Sequence, residues 1–142
     1  MALLREAAST KPERYRADLA TSLNNLSATL LESNHPDQAQ AAAQEAVTIR
    51  RELAAADPER YGADLATTLD NLAAAQGELG HPDHALRAVQ EAITIRRELA
   101  AADPERYGTE FAASLDNLAA IQALLSAGAN ADAEGEASVQ PP

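Results

Sequence analysis

The chain has 142 residues, enough for one domain or one short repeat array. Its formal net charge of −11 repels phosphate backbones and anionic lipid headgroups, which sets nucleic acid and membrane surfaces aside as partners. It holds no cysteine, hence no disulfide framework and no thiolate metal site, and no apolar run nears the ~20 residues that span a bilayer.

The opening Met1-Ala2-Leu3-Leu4-Arg5-Glu6 reaches charge at once and lacks the apolar core of a signal peptide, so a cytoplasmic protein is expected. The apolar residues are mostly Ala and Leu, with one Phe, three Tyr and no Trp. Such side chains suit thin gaps between helices better than a wide globular core. Pro-Glu-Arg-Tyr occurs at 12–15, 58–61 and 104–107, spaced by 58 − 12 = 46 and 104 − 58 = 46 residues. Residues 12–57 and 58–103 are identical at 32 of 46 positions, so a unit of fixed period recurs along the chain.

In chain order, residues 1–11 align with 47–57 and read as the remnant of a preceding second helix. Residues 12–57 form the first unit and 58–103 the second. Each unit predicts two helices, A then B. Asp57 suits an N-cap and Pro58 the first helical position. Tyr61, Leu65, Leu69, Leu72, Gln76 and Leu79 then recur at steps of four or three, one face of helix A. Gly80 ends that helix, and Pro82 opens helix B, whose face is marked by Ala85, Val89, Ala92, Arg96 and Leu99. The third unit, 104–127, supplies helix A alone. The His-Pro-Asp turn is then lost, and 128–142 read as a disordered acidic tail.

At Leu69, Leu72-Ala73, Gly80, Ala85 and Ala92 the second unit resembles the tetratricopeptide repeat family. The first unit matches at Leu23, Leu26-Ser27, Ala39 and Ala46, with Asn34 at the turn, and the third at Leu115 and Leu118-Ala119. The long unit with its Leu-Asn-Asn-Leu and Leu-Asp-Asn-Leu motifs resembles the kinesin-light-chain type. The resemblance covers residues 1–127. It implies an all-α fold: antiparallel helix-turn-helix repeats stacked as a short right-handed superhelix, an α-solenoid whose A helices line a concave groove. It also implies a module that binds an extended peptide rather than an enzyme. The usual aromatic positions are mostly Leu, Gln or Ala here, and the usual terminal capping helix is missing.

Asn25, Asn71 and Asn117 are one period apart on helix A, beside its Leu stripe. A carboxamide both donates and accepts, as an extended peptide backbone does. The resemblance implies that these three grip a ligand main chain; the competing expectation is that each bonds neighbouring helix and organises packing. Arg14, Arg60 and Arg106 stand four residues before Asp18, Asp64 and Glu110, the spacing of intrahelical ion pairs. Arg60 and Asp64 also fall on the expected groove face. Asn24, Asp70 and Asp116 neighbour the ladder, and the acids at 70 and 116, without such a partner, favour a ligand carrying Lys or Arg. The expected partner is therefore a neutral or basic polypeptide.

Tyr15, Tyr61 and Tyr107 are expected to pack on the preceding helix B. His81 and His84 lack a second cluster, and His35 and His81 are expected to shape the turn before helix B, so neither a metal nor a cofactor is expected. Acids near acids recur with the period, which marks architecture, whereas catalytic groups occur once per active site. Phe111, Leu115, Leu118, Ile121 and Leu125 form a stripe with no helix B to cover it, which predicts a homodimer through this end. The alternative to peptide binding is thus a self-assembly element with no external ligand.

Overall fold

The computed structural model describes residues 12–138. The remnant read in residues 1–11 and the last four residues lie outside the described residues. Among the described residues five α-helices follow one another: α1 Pro12–Glu32, α2 Pro36–Ala56, α3 Pro58–Glu78, α4 Pro82–Ala102 and α5 Pro104–Ser138. Here α1, α3 and α5 are A helices and α2 and α4 are B helices. Successive helices pack on one another, and α1 also reaches α3. No strand occurs among the described residues. The chain is an all-α solenoid of helical hairpins.

Local chemistry sets each boundary. Asp57 closes α2 by donating its N–H to Leu53 O (3.0 Å) and opens α3 by accepting from the Arg60 N–H (3.3 Å). Asp103 does the same between α4 and α5, with bonds of 2.9 and 3.2 Å. One residue thus caps two helices, and the proline after it loses nothing by lacking an N–H.

The turn inside each hairpin needs a left-handed residue. Gly80 supplies it with φ 76° and Asn34 with φ 62°. Around Gly80, His81 N–H bonds Gln76 O (2.9 Å) and Gly80 N–H bonds Gly77 O (3.1 Å). Around Asn34, His35 N–H bonds Leu30 O (2.8 Å) and Asn34 N–H bonds Leu31 O (3.1 Å). These are the paired closures of a Schellman turn. The two histidines shape the turn through their main chains; neither side chain caps the helix that follows.

The core is thin and alanine-rich. Ala20, Ala43, Ala46, Ala66, Ala75 and Ala92 are fully buried, beside Leu23, Leu69 and Val47. Small side chains at the crossings let helices approach closely. The predicted stripe of α3 is buried at Tyr61, Leu65, Leu69, Leu72 and Gln76.

Two arginines lie in this core, Arg50 at 6% and Arg96 at 8% exposure. Arg50 of α2 donates to Thr21 Oγ1 of α1 (3.2 Å), to Asp64 O of α3 (3.2 Å) and to Thr68 Oγ1 of α3. Arg96 of α4 reaches Asp70 Oδ2 of α3 (2.7 Å) and Ser114 Oγ of α5 (2.8 Å). Each B helix therefore ties the A helix before it to the A helix after it. The acceptors are prepared locally: Thr68 and Ser114 donate their hydroxyl protons to Asp64 O (3.0 Å) and Glu110 O (2.9 Å), one turn back, and turn a lone pair to the guanidinium. Periodicity places Arg96 on the buried face but does not name what it meets.

Helix α5 corrects one expectation. It continues to Ser138, where the sequence predicts a disordered tail from residue 128. The loss of His-Pro-Asp removes the turn, and an Ala-rich stretch has high helix propensity, so the chain runs on instead of folding back.

Two stability predictions follow from these contacts. Thr68→Val keeps the shape but strips Arg50 of a buried acceptor; unfolding by urea should show a loss of about 1–3 kcal/mol. The exposed neighbour variant Thr67→Val should stay within about 0.5 kcal/mol of the parent. Gly80→Ala forces a Cβ into the left-handed region and should cost about 1–2 kcal/mol, whereas Asn34→Gly should be close to neutral in the same assay.

Candidate functional site

At the first junction the A helices close on one another. Asn71 of α3 donates through Nδ2 to Asn24 Oδ1 of α1 (2.7 Å). Ser27 of α1 is buried and donates to Ala39 O of α2 (2.8 Å). Leu30 packs on the core from the same stretch.

One period on, the arrangement differs. The stations of Asn24 and Asn71 are taken by Asp70 and Asn117. Asp70 is turned to Arg96, and Asn117 is exposed with no bond to another described residue. Leu30 and Leu31 are replaced by Gln76 and Gly77. Among the described residues, no Cα of α5 comes within 8 Å of α3, although α1 and α3 do approach that closely.

The result is a groove of about 550 Å³ between α3 and α5, floored by the start of α4. This lies within the range of small-ligand pockets, ~300–1,000 Å³. Ala73, Ala74 and Gly77 form one wall, and Ile121, Leu124 and Leu125 the other. Val89 lies on the floor, with Asp70, Ser114 and Asn117 adding polar groups. Leu124 is 74% exposed and belongs to no stripe read from the sequence. The signal that could have revealed the groove was the loss of two leucines between units at 76 and 77.

The expected residues are divided by this geometry. Asp70, Asn117, Ile121 and Leu125 line the groove. The Asn ladder is not a common row: Asn25 is exposed, Asn71 is half-buried on Asn24, and Asn117 alone of the three lines the groove. Asp116 is exposed outside the lining. Asp70, expected to be free for a basic ligand, is held by Arg96, a partner from another helix that intrahelical spacing does not show.

The expected Arg–acid pairs one turn apart are also corrected. Among the described residues Arg14 does not pair with Asp18, nor Arg60 with Asp64. Arg60 lies over the Tyr61 ring at 5.3 Å and Arg106 over the Tyr107 ring at 5.2 Å. Adjacent aromatic faces compete for these guanidiniums. Tyr61 itself is buried and donates its hydroxyl to Glu13 of α1 (3.3 Å). Asp64 serves instead through its main-chain oxygen, which accepts from Arg50.

Helix α5 splits the stripe predicted for self-association. Phe111 and Leu118 are half-buried against the core, and the Arg97 guanidinium stands 5.8 Å from the Phe111 ring. Leu115 is 38% exposed, although Leu69, one period earlier, is fully buried. His81 and His84 stand with ring centroids 5.6 Å apart, and no group of three His, Cys, Asp or Glu suited to a metal forms among the described residues. No described helix is long and apolar enough to cross a membrane.

Comparison with curated proteins and with solved structures gave no match. The family comparison matched Tetratricopeptide repeat over residues 19–58 and 65–104, spans that each begin within an A helix and end at the start of the next. With hairpins of that kind repeated along an all-helical stack, and more than half its length matched, the chain belongs to the tetratricopeptide repeat family.

Proposed function

We propose that this chain is a non-catalytic binding module that seats an extended segment of a partner polypeptide in the groove between α3 and α5. Tetratricopeptide repeats in general mediate protein–protein interaction. The observation that carries the reading is the groove itself: apolar walls with one unbonded carboxamide, Asn117, among its polar groups. Apolar side chains of the segment would fill the space beside Ala74 and Gly77, and the Asn117 amide would bond its main chain. The net charge of −11 favours a neutral or basic partner. One hydrogen bond contributes only about 0.5–1.5 kcal/mol, so the apolar walls must supply most of the affinity.

A second reading, self-assembly, is favoured by a different face. Gly108, Phe111, Ala112, Leu115 and Ala119 repeat the positions at which α3 meets α4: Gly62, Leu65, Ala66, Leu69 and Ala73. All five are buried on α3, while Ala112, Leu115 and Ala119 are exposed on α5. A second copy seated there would bury them.

Peptides selected from a random library against the purified chain test the groove. Gly77→Leu restores the side chain of Leu31, and a Cβ at Gly77 meets nothing within 4 Å. It should weaken the selected peptides by about tenfold or more while leaving thermal stability unchanged or higher. Asn117→Ala should cost about 0.5–1.5 kcal/mol of binding; Asn71→Ala should take a similar amount from stability instead. Peptides that bind Gly77→Leu as well as the parent would refute the groove. For the second reading, sedimentation should show 2 × 14.9 = 29.8 kDa at high concentration and 14.9 kDa after Leu115→Glu. A parent that stays at 14.9 kDa removes it.

A further inference from the structure

The two full units differ at their fifth residue, Arg16 in α1 and Gly62 in α3, one period apart. In the first unit the Arg16 guanidinium pairs with Glu52 of α2. The residue one period after Glu52 is Glu98 of α4. Gly62 offers it no side chain, and Glu98 makes no hydrogen bond or ion pair with any described residue. Between them lies a cavity of about 360 Å³ that opens between the B helices α2 and α4, over the start of α3. Gly62, Leu65, Ile95 and Leu99 give it apolar walls, and the exposed acids Glu98 and Glu59 also line it. The one cation in the lining, Arg51, is already committed to Glu91 through two bonds, of 3.1 and 2.6 Å.

We infer that this cavity docks an arginine side chain of a partner polypeptide, which takes the place that Arg16 fills in the first unit. An arginine has an apolar stem that fits aliphatic walls and a planar head that a carboxylate accepts along two parallel bonds. Lysine has the stem but only a compact ammonium. The excess of acidic groups over the whole chain draws such a partner in. The first unit supplies the template, since the same glutamate station already binds a guanidinium there. This site is separate from the α3/α5 groove and stands whether or not that groove binds a peptide.

The chain can also be made to fill the cavity itself. A Cβ on Gly62 would meet Ile95 Cγ2 at 3.5 Å and Leu99 Cδ1 at 3.8 Å, ordinary contacts, so a side chain can start here beside the cavity, as in Gly62→Arg. The test titrates the ¹⁵N-labelled full chain with N-acetyl-arginine methylamide, and in parallel with the lysine and citrulline analogues. The arginine probe should shift the amides of Gly62, Ile95 and Glu98, and the neutral citrulline probe should not. Glu98→Gln should weaken the arginine response by about tenfold. Gly62→Arg should abolish it and raise the melting temperature, since a helix-interior glycine is replaced by a good helix former. Shifts spread evenly over the acidic surface, an equal response to citrulline, or an undiminished response in Gly62→Arg or Glu98→Gln would each overturn the inference.

Discussion

Each B helix carries one buried guanidinium, and the stacking of the A helices depends on where its hydrogens go. A charge in an alanine-rich core is costly unless it is bonded. Arg50 meets that requirement with neutral oxygens from α1 and α3, and Arg96 with a carboxylate from α3 and a hydroxyl from α5. Burial lowers the pKa of Arg50, with Asp64 pulling the other way. The group nevertheless stays charged at any physiological pH, because a guanidinium does not deprotonate in proteins. The hydrogen-bond supply is local in origin: a Thr or Ser that bonds back to its own helix presents an oxygen to the next.

The choice of partner at each arginine has consequences for the surface. Where Asn24 stands, it is free to bond Asn71, and the first pair of A helices closes. Where Asp70 stands instead, the carboxylate goes to Arg96 and leaves Asn117 unbonded. Together with the loss of two leucines at 76 and 77, this leaves the α3/α5 groove open. Asn24 against Asp70 thus changes the interior bonding, and with Leu30 and Leu31 against Gln76 and Gly77 it changes the outer channel.

A repeat protein invites attention to what recurs, but in this chain the concave features lie where the copies disagree. Arg16 against Gly62 empties a cavity between the B helices, and Leu31 against Gly77 empties one between the A helices. The recurring residues fill space and cap helices. The departures from them leave concave space, while one period earlier Leu31 stands at the station of Gly77 and Arg16 at that of Gly62, paired with Glu52.

Much of this was legible in the sequence alone. The period fixed the number and order of the hairpins. The Asp-Pro joints and the left-handed Gly80 and Asn34 mark where α1 to α4 end or the next helix begins, and the spacing of Leu65, Leu69 and Leu72 gives the buried face of α3, whereas the end of α5 does not follow from the pattern. These follow from interactions within a few residues, which a linear pattern encodes. The site is legible only in part: Asp70 and Asn117, expected on the groove face, line the α3/α5 groove, but so do Ile121 and Leu125, which the sequence places in a self-association stripe, and the ladder of three amides and the free charge at Asp70 do not form. Partners such as Asn71 with Asn24 and Arg96 with Asp70 are 47 and 26 residues apart and compete with alternatives on other helices. Which pairing wins, and how far α5 stands from α3, is decided only when all the helices are packed, because each bond is chosen against every other group within its reach.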